Sequence, residues 1–320
     1  MKAFFRRFSV QAGISCVLVG LLGIFMISSP GTFLSPHIYI SFGSTIPFTA
    51  LLALGLTFLI IAGEMDLSFP SVMAVSGFVF SELFLATGSA PLAFIAAIAA
   101  GAAAGLLNGL LVVKVGVPSI IATIGTQFFW RGVAILLASG LARNIVPVRD
   151  TLLHHLFAGR IGGLVPAQFL WCLGIAGLMG LILNRHAFGD NVLFIGDDIR
   201  TARLMGIDTD RVRILLFVFM GIMSALVSVM VCMEMANWWP TQGEGYLLLV
   251  FASIFIGGTS VFGGEGTVFG TLVGAVIIGI IEAGIISAGL SGFWTRLVHG
   301  AVIVASVSVY AILFQNRKPA

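Results

Sequence analysis

Long apolar runs near 13–29, 43–62, 67–86, 90–113, 116–138, 165–184, 214–236, 246–262, 267–288 and 293–314 divide the chain, and short polar connections separate them. A helix needs roughly 20 apolar residues to cross a hydrocarbon core about 30 Å thick, and most of the runs match that length. The pattern predicts an all-α, polytopic integral membrane protein with about ten transmembrane helices, some broken or re-entrant, in a single membrane domain over 1–320. A spanning β-barrel would instead alternate apolar and polar positions in segments of about ten residues.

Two stretches interrupt this pattern. Gly63-Glu64-Met65-Asp66-Leu67-Ser68 sets two carboxylates between long apolar runs with almost no linker, and Pro70 follows. Gly257-Gly258-Thr259-Ser260-Val261-Phe262-Gly263-Gly264-Glu265-Gly266 is rich in glycine. Backbone of this kind must lie in protein, at an interface or beside a water-filled cavity, because lipid offers it no hydrogen-bond partner. Gly-interrupted spans in both halves of a chain also point to a transport path. Tight interfacial turns with carboxylates among the headgroups are the plainer alternative. Each break precedes a helix rich in small residues, Ser71 to Ala86 and Thr267 to Gly284, as an internal duplication would leave.

Candidates for a translocation path are therefore Glu64, Asp66 and Ser68 in the first break and Thr259, Ser260 and Glu265 in the second. Asn108, Gln127 and Arg131 join them as polar groups inside apolar runs, where such groups are costly and tend to be functional or interior. Asn108 near Gly101 and Gly105 fits close helix packing equally well. Arg131, one helical turn after Gln127, faces either the bundle or, by snorkelling, the interface. Glu234, shortly before Trp238 and Trp239, fits the outer interface. A buried Glu282 paired with Arg296 is a further option.

Composition narrows the class. The 320 residues are 59% hydrophobic and only 9% charged, against about 25% charged in a soluble domain. The net charge of +3 is spread over short loops, without the basic stripe that nucleic-acid binding needs. Cys16, Cys172 and Cys232 stand alone in apolar runs and read as unpaired buried thiols. His154 and His155 are adjacent in a loop with no clustered Cys or carboxylate, so no metal site is expected. No catalytic constellation is present, and no phosphate-cradling GxxxxGK[ST] motif. The chain is expected to be neither an enzyme nor a cofactor carrier. If it transports actively, a separate ATPase or an ion gradient must supply the energy.

Basic residues orient the spans. Lys2, Arg6 and Arg7 precede the first run, which reads as an uncleaved helix starting in the cytoplasm. Ten crossings then put both termini in the cytoplasm, together with Lys114 and the 185–213 loop that carries Arg185, Arg200, Arg203, Arg211 and Arg213. Within that loop, basic and apolar residues alternate over helix-sized stretches. It fits a docking knob for a partner and a helix lying on the membrane surface equally well.

Four stretches together resemble the permeases of bacterial ABC importers for ribose and related sugars, the branch that includes autoinducer-2 permeases. They are Ala62 through Ser68; Asn108-Gly109 continuing through Val117-Pro118-Ser119-Ile120-Ile121-Ala122-Thr123-Ile124-Gly125; Thr201-Ala202-Arg203-Leu204-Met205-Gly206-Ile207; and Gly257 through Thr267. The resemblance spans most of 43–310 and implies a bacterial inner-membrane permease that pairs with a second, identical or related permease subunit. It also implies a sugar-type ABC ATPase below, which binds ATP and Mg, and a periplasmic substrate-binding protein above that hands over a monosaccharide or similar carbohydrate. The 190–207 segment would then couple to the ATPase through Asp197, Arg200, Arg203, Leu204, Gly206 and Ile207. Outer loops 30–42, 139–164 and 237–245 would meet the binding protein, with Arg143, Asp150, Arg160 and Glu244 available for charge matching.

Two positions depart from the family pattern. Glu64 adds a carboxylate where Gly-Gly-Ile-Asp-Leu-Ser is common, and Gly196-Asp197-Asp198 replaces a common Gly-Gly-Asn. Branched-chain amino acid permeases are relatives of similar topology, but the Gly-Gly-Thr-Ser-Val-Phe-Gly-Gly run favours the sugar branch. Two rival readings remain at this point: an ion-coupled secondary transporter that uses Asp66 or Glu282, and a membrane scaffold or receptor subunit that moves nothing.

Overall fold

The computed structural model describes residues 2–301 and 304. It is a helical bundle of α1 (Lys2–Ser28), α2 (Pro30–Phe33), α3 (Pro36–Ile61), α4 (Phe69–Thr87), α5 (Ala90–Leu110), α6 (Ser119–Ala138), α7 (Leu152–Phe157), α8 (Ala167–Arg185), α9 (Ala187–Asp197), α10 (Ile199–Leu204), α11 (Thr209–Met235), α12 (Tyr246–Ile256) and α13 (Val268–Ser287). A π-helical turn over Leu111–Val115 prolongs α5, and a 3-10 turn over Val146–Asp150 precedes α7. Strand β1 (Arg143–Asn144) pairs antiparallel with β4 (Asn237–Trp238), and β2 (Arg160–Ile161) with β3 (Val165–Pro166). These two ribbons lie at the end of the bundle opposite α9 and α10, called the far end below; the other is the arginine-rich end.

Among the described residues, eight helices are long and apolar enough to cross a membrane: α1, α3, α4, α5 with its π turn, α6, α8, α11 and α13. The expected run at 246–262 is helical only over Tyr246–Ile256. At about 1.5 Å per residue that is roughly half a hydrocarbon core. Glycines bound it on both sides: Gly243 and Gly245 take φ values of 91° and 95° before it, and the Gly257–Gly258 turn follows. The run at 293–314 is helical over 293–301; most of its remainder, with Arg317 and Lys318, lies outside the described residues. The stretch 30–42, expected as a loop, is helical except at Leu34 and Ser35. Pro30 and Pro36 open α2 and α3, where a missing amide donor leaves no bond unmade. The Ser35 side chain caps α3 by accepting from His37 N at 3.3 Å.

The core centres on α3, in which every residue from Pro47 to Ile61 is buried. Apolar on all faces, this helix is stable only when surrounded. Helix α5 lies along α11 at backbone contact: a Cβ on Gly101 or Gly105 would strike the carbonyls of Gly221 or Phe217. Small residues thus replace the hydrophobic drive that lipid cannot provide between helices. At the rim, α6 turns Ile121, Phe128 and Leu136 outward, and α1 packs on α13 through Ile14, Ile277, Ile281 and Ile285.

Candidate functional site

The first break leaves the arginine-rich end of α3 and runs back into the bundle before α4 begins. Asp66 Oδ1 accepts from both the Ser68 amide and the Ser68 hydroxyl, each at 2.7 Å. Asn108 Nδ2 donates to Ser68 Oγ at 2.7 Å, and Thr126 Oγ1 donates to Asn108 Oδ1 at 2.7 Å. This chain of buried polar groups ties the start of α4 to α5 and α6. Thr126 lies about 10 Å along α6 from Ser119, at the usual helical rise, so α4 starts inside the bundle. The Met65 amide is satisfied by Ser119 Oγ at 3.2 Å. Glu64 pairs with Arg213 of α11: its Oε1 accepts from Nε at 2.7 Å and lies 2.5 Å from Nη2.

A second interruption enters from the far end. After β4 the chain 239–245 turns into the bundle beside α4, and α12 continues from there. Trp238 Nε1 donates to the Ala74 carbonyl at 2.9 Å, and Gln242 Nε2 donates to Ser228 O at 3.0 Å and to Ser228 Oγ at 3.1 Å. Gly243 lies so close to the Pro70 carbonyl that a Cβ would overlap it. Arg131, about 18 Å along α6 from Ser119, joins the second interruption to the first turn of α4. Its Nη1 donates to Pro240 O at 2.6 Å and Gln242 O at 3.0 Å, and its Nη2 to Pro70 O at 3.2 Å. Glu244 is its nearest carboxylate, at 3.9 Å.

At the arginine-rich end, α9 and α10 meet at Asp197–Asp198 and press against the bundle. A Cβ on Gly196 would collide with the Ile61 carbonyl and lie 2.6 Å from the Gly264 amide. These two backbone groups are themselves hydrogen-bonded at 2.8 Å. The α9–α10 junction therefore sits on the point where the α3 end meets the glycine-rich turn of 257–267. Asp198 caps α10 by accepting from Thr201 N at 2.7 Å, and that backbone bond holds its carboxyl below the ordinary value. Arg203 donates to Thr209 Oγ1 at 2.9 Å and to Asp210 at 3.1 Å, while Lys114 takes the other Asp210 oxygen at 2.9 Å. Arg200, Leu204 and Met205 point away from the bundle, and Leu204 is 89% exposed.

A family model described as a branched-chain amino acid transport system permease component matches residues 38–307. The chain is also 31% identical over 303 residues to the ribose import permease protein RbsC of Escherichia coli strain K12, covering 94% of this chain and 92% of that one. It is 29% identical to the L-arabinose ABC transporter permease protein AraH of Azospirillum brasilense, with 93% and 86% covered. The D-allose transport system permease protein AlsC of Escherichia coli strain K12 is 29% identical, with 95% and 93% covered. This chain belongs to the sugar-branch ABC importer permeases. No solved structure matches it. Membership makes it an ABC-type sugar permease subunit and implies, in general terms, a partner ATPase and a substrate-binding protein.

Against this permease frame, the residues expected along a path separate into groups. Glu64, Asp66, Ser68, Asn108 and Arg131 converge on the two interruptions, and all of them bond within the chain. Gln127 is half-buried on α6. Thr259 and Ser260 are buried in the inner turn, where the Ser260 amide donates to the carbonyl of exposed Glu265 at 2.9 Å. Of the coupling candidates, Asp197, Arg200, Leu204 and Gly206 are exposed and Ile207 is half-buried, whereas Arg203 is tied to α11. At the far end Asp150 and Arg160 are exposed, but Arg143 is held by Glu82.

Three expectations need correction. Cys16, read as a buried thiol, is exposed on α1. The 237–245 segment, expected as an outer loop, is partly folded into the bundle: Trp238 and Gln242 are buried and bond to α4 and α11, while Thr241, Glu244 and Gly245 stay exposed. Glu282 is not buried against Arg296, since both are exposed. Sequence reasoning also missed Gln242, the backbone contact of Gly196 with Ile61 and the partner of Glu64. The signals were faint: a lone Gln beside a Trp pair, a glycine in a polar loop, and Arg213 as one more loop arginine.

Proposed function

We propose that this chain is the membrane channel of an ATP-driven importer of a monosaccharide or similar small carbohydrate in a bacterial inner membrane. The observation that carries the reading is the seat of α9–α10. The segment lies at the arginine-rich end, rests through Gly196 on the Ile61 carbonyl and the glycine-rich turn, and turns Arg200, Leu204 and Met205 outward. A partner ATPase gripping that outward surface would move the ends of two interrupted spans directly. The basic residues support a cytoplasmic position for this end, and both termini would share that side if α12 and the 293–314 run complete ten crossings. The relatives named for ribose, arabinose and allose support a sugar cargo. Specificity is assigned chiefly to a periplasmic binding protein that docks at the far end on the 139–164 region, near Asp150 and Arg160. Two permease subunits would enclose the path, and the chain itself makes and breaks no covalent bond. Binding of ATP and of the loaded binding protein would each favour one of two bundle states, and their difference in affinity would drive the exchange.

The test is purification of the tagged protein in mild detergent from its own membrane, with mass spectrometry of co-purifying chains. A stoichiometric ABC ATPase is expected, lost in the Arg200→Glu, Leu204→Asp variant. Both positions are exposed, so the bundle should survive; Arg203 is left unchanged because it braces α11. A clean preparation of this chain alone, repeated under crosslinking, would overturn the reading.

A further inference from the structure

The Glu64–Arg213 ion pair lies where the bundle meets the α9–α10 segment. Its side chains are only 10% and 15% exposed, and Arg213 directs both Nε and Nη2 to one carboxylate oxygen. A buried pair of this kind is not needed for stability, since apolar residues of similar size often serve as well or better. What it supplies is a geometry that is either made or broken.

That geometry links two moving parts. On one side, Arg213 lies near the start of α11, and α10 is braced to the same end of α11 by the bonds from Arg203 to Thr209 and Asp210. On the other, Glu64 heads the first break, next to the Ile61 carbonyl on which Gly196 rests. The break is thus gripped from both sides of α10, by backbone contact before it and by charge after it. Beyond Glu64, Met65 bonds Ser119, and Asp66 and Ser68 lead to Asn108 and Thr126. A shift of Glu64 would therefore be felt at the start of α4.

We infer that Glu64 and Arg213 are positioning residues that transmit movement of α9–α10 to the interrupted α3–α4 span, and so set how much sugar is moved per ATP hydrolysed. This rests on the importer reading above. The experiment is uptake and ATP hydrolysis measured in parallel, in liposomes holding the assembled complex with its ATPase and loaded binding protein. Glu64→Gln or Arg213→Gln should lower sugar moved per ATP about tenfold, within the usual range of coupling between sites, while basal hydrolysis persists. The exchange Glu64→Arg with Arg213→Glu should restore much of the ratio. Because a lone buried charge can unfold a protein, the neutral pair Glu64→Gln with Arg213→Met provides a second arm: it should fold, assemble and remain uncoupled. A wild-type ratio in the neutral pair, or no recovery in the exchange variant once assembled, would overturn the inference. No ATP-dependent uptake by the wild-type complex would instead overturn the importer reading.

Discussion

The two interruptions of the bundle solve one problem in different ways. Non-helical backbone inside a membrane protein must find partners within the protein. At 62–68 the first amides bond back to α3 carbonyls, Met65 N goes to Ser119 Oγ and Ser68 N to Asp66 Oδ1, and a side-chain relay runs on from Ser68 to Asn108 and Thr126, with the Glu64–Arg213 pair at the rim. At 239–245 a single guanidinium gathers the Pro240 and Gln242 carbonyls together with that of Pro70, and Gln242 grips Ser228. The first is a set of links anchored beside α9–α10, where displacement at one end passes to the next. The second is a clamp centred on one residue. If α9–α10 moves as inferred above, the first would move with it and the second would hold still.

Substitutions can break or sharpen this contrast. The largest expected effect is at the clamp. Arg131→Met removes a donor from three part-buried carbonyls, two of them in the 239–245 segment, where a polar group left unpaired costs about 1–3 kcal/mol. The variant should lose most of its folded yield and thermal stability in detergent, and Arg131→Lys should recover part of both. Next is Gly196→Ala, whose Cβ would collide with the Ile61 carbonyl. Overpacking of this kind costs about 1–3 kcal/mol. Here thermal melting should fall moderately, while labelling of a cysteine placed in α9 should rise as the segment lifts off.

Gln242→Ala should come third. It loses two bonds to Ser228, a net effect of about 1–2 kcal/mol, read by melting and by faster proteolysis between β4 and α12. The smallest effect on stability belongs to Leu204→Ala at an exposed site, within about 0.5 kcal/mol. That variant should nevertheless weaken ATPase co-purification, measured as partner per permease. If Arg131→Met proves milder than Gly196→Ala, the distinction between clamp and relay is wrong.

Much of this was legible in the chain. Both glycine-bearing breaks, the arginine-rich loop and the polar positions Asn108 and Arg131 stand out against apolar runs, because each is a local departure from what lipid tolerates. The half-length of α12 was legible only in part: the glycine-rich break stands out, yet the apolar run 246–262 continues across it, and it is the turn at Gly257–Gly258 that ends the helix at Ile256. The 30–42 stretch misled in the opposite sense: its serines and prolines read as loop, yet Ser35 and Pro36 are helix-starting signals.

The sequence by itself determined that the chain lives in a membrane, where most spans run and which family it joins. Transfer of apolar residues into lipid is a local quantity, summed over neighbours along the chain. Only the tertiary structure decided that Glu64 meets Arg213, that Arg131 ties the 239–245 segment to the start of α4 and that Gly196 lies under the Ile61 carbonyl. Those contacts join residues far apart in sequence. A buried polar group takes whichever partner the packing of helices brings within hydrogen-bond reach, and no local pattern carries that information.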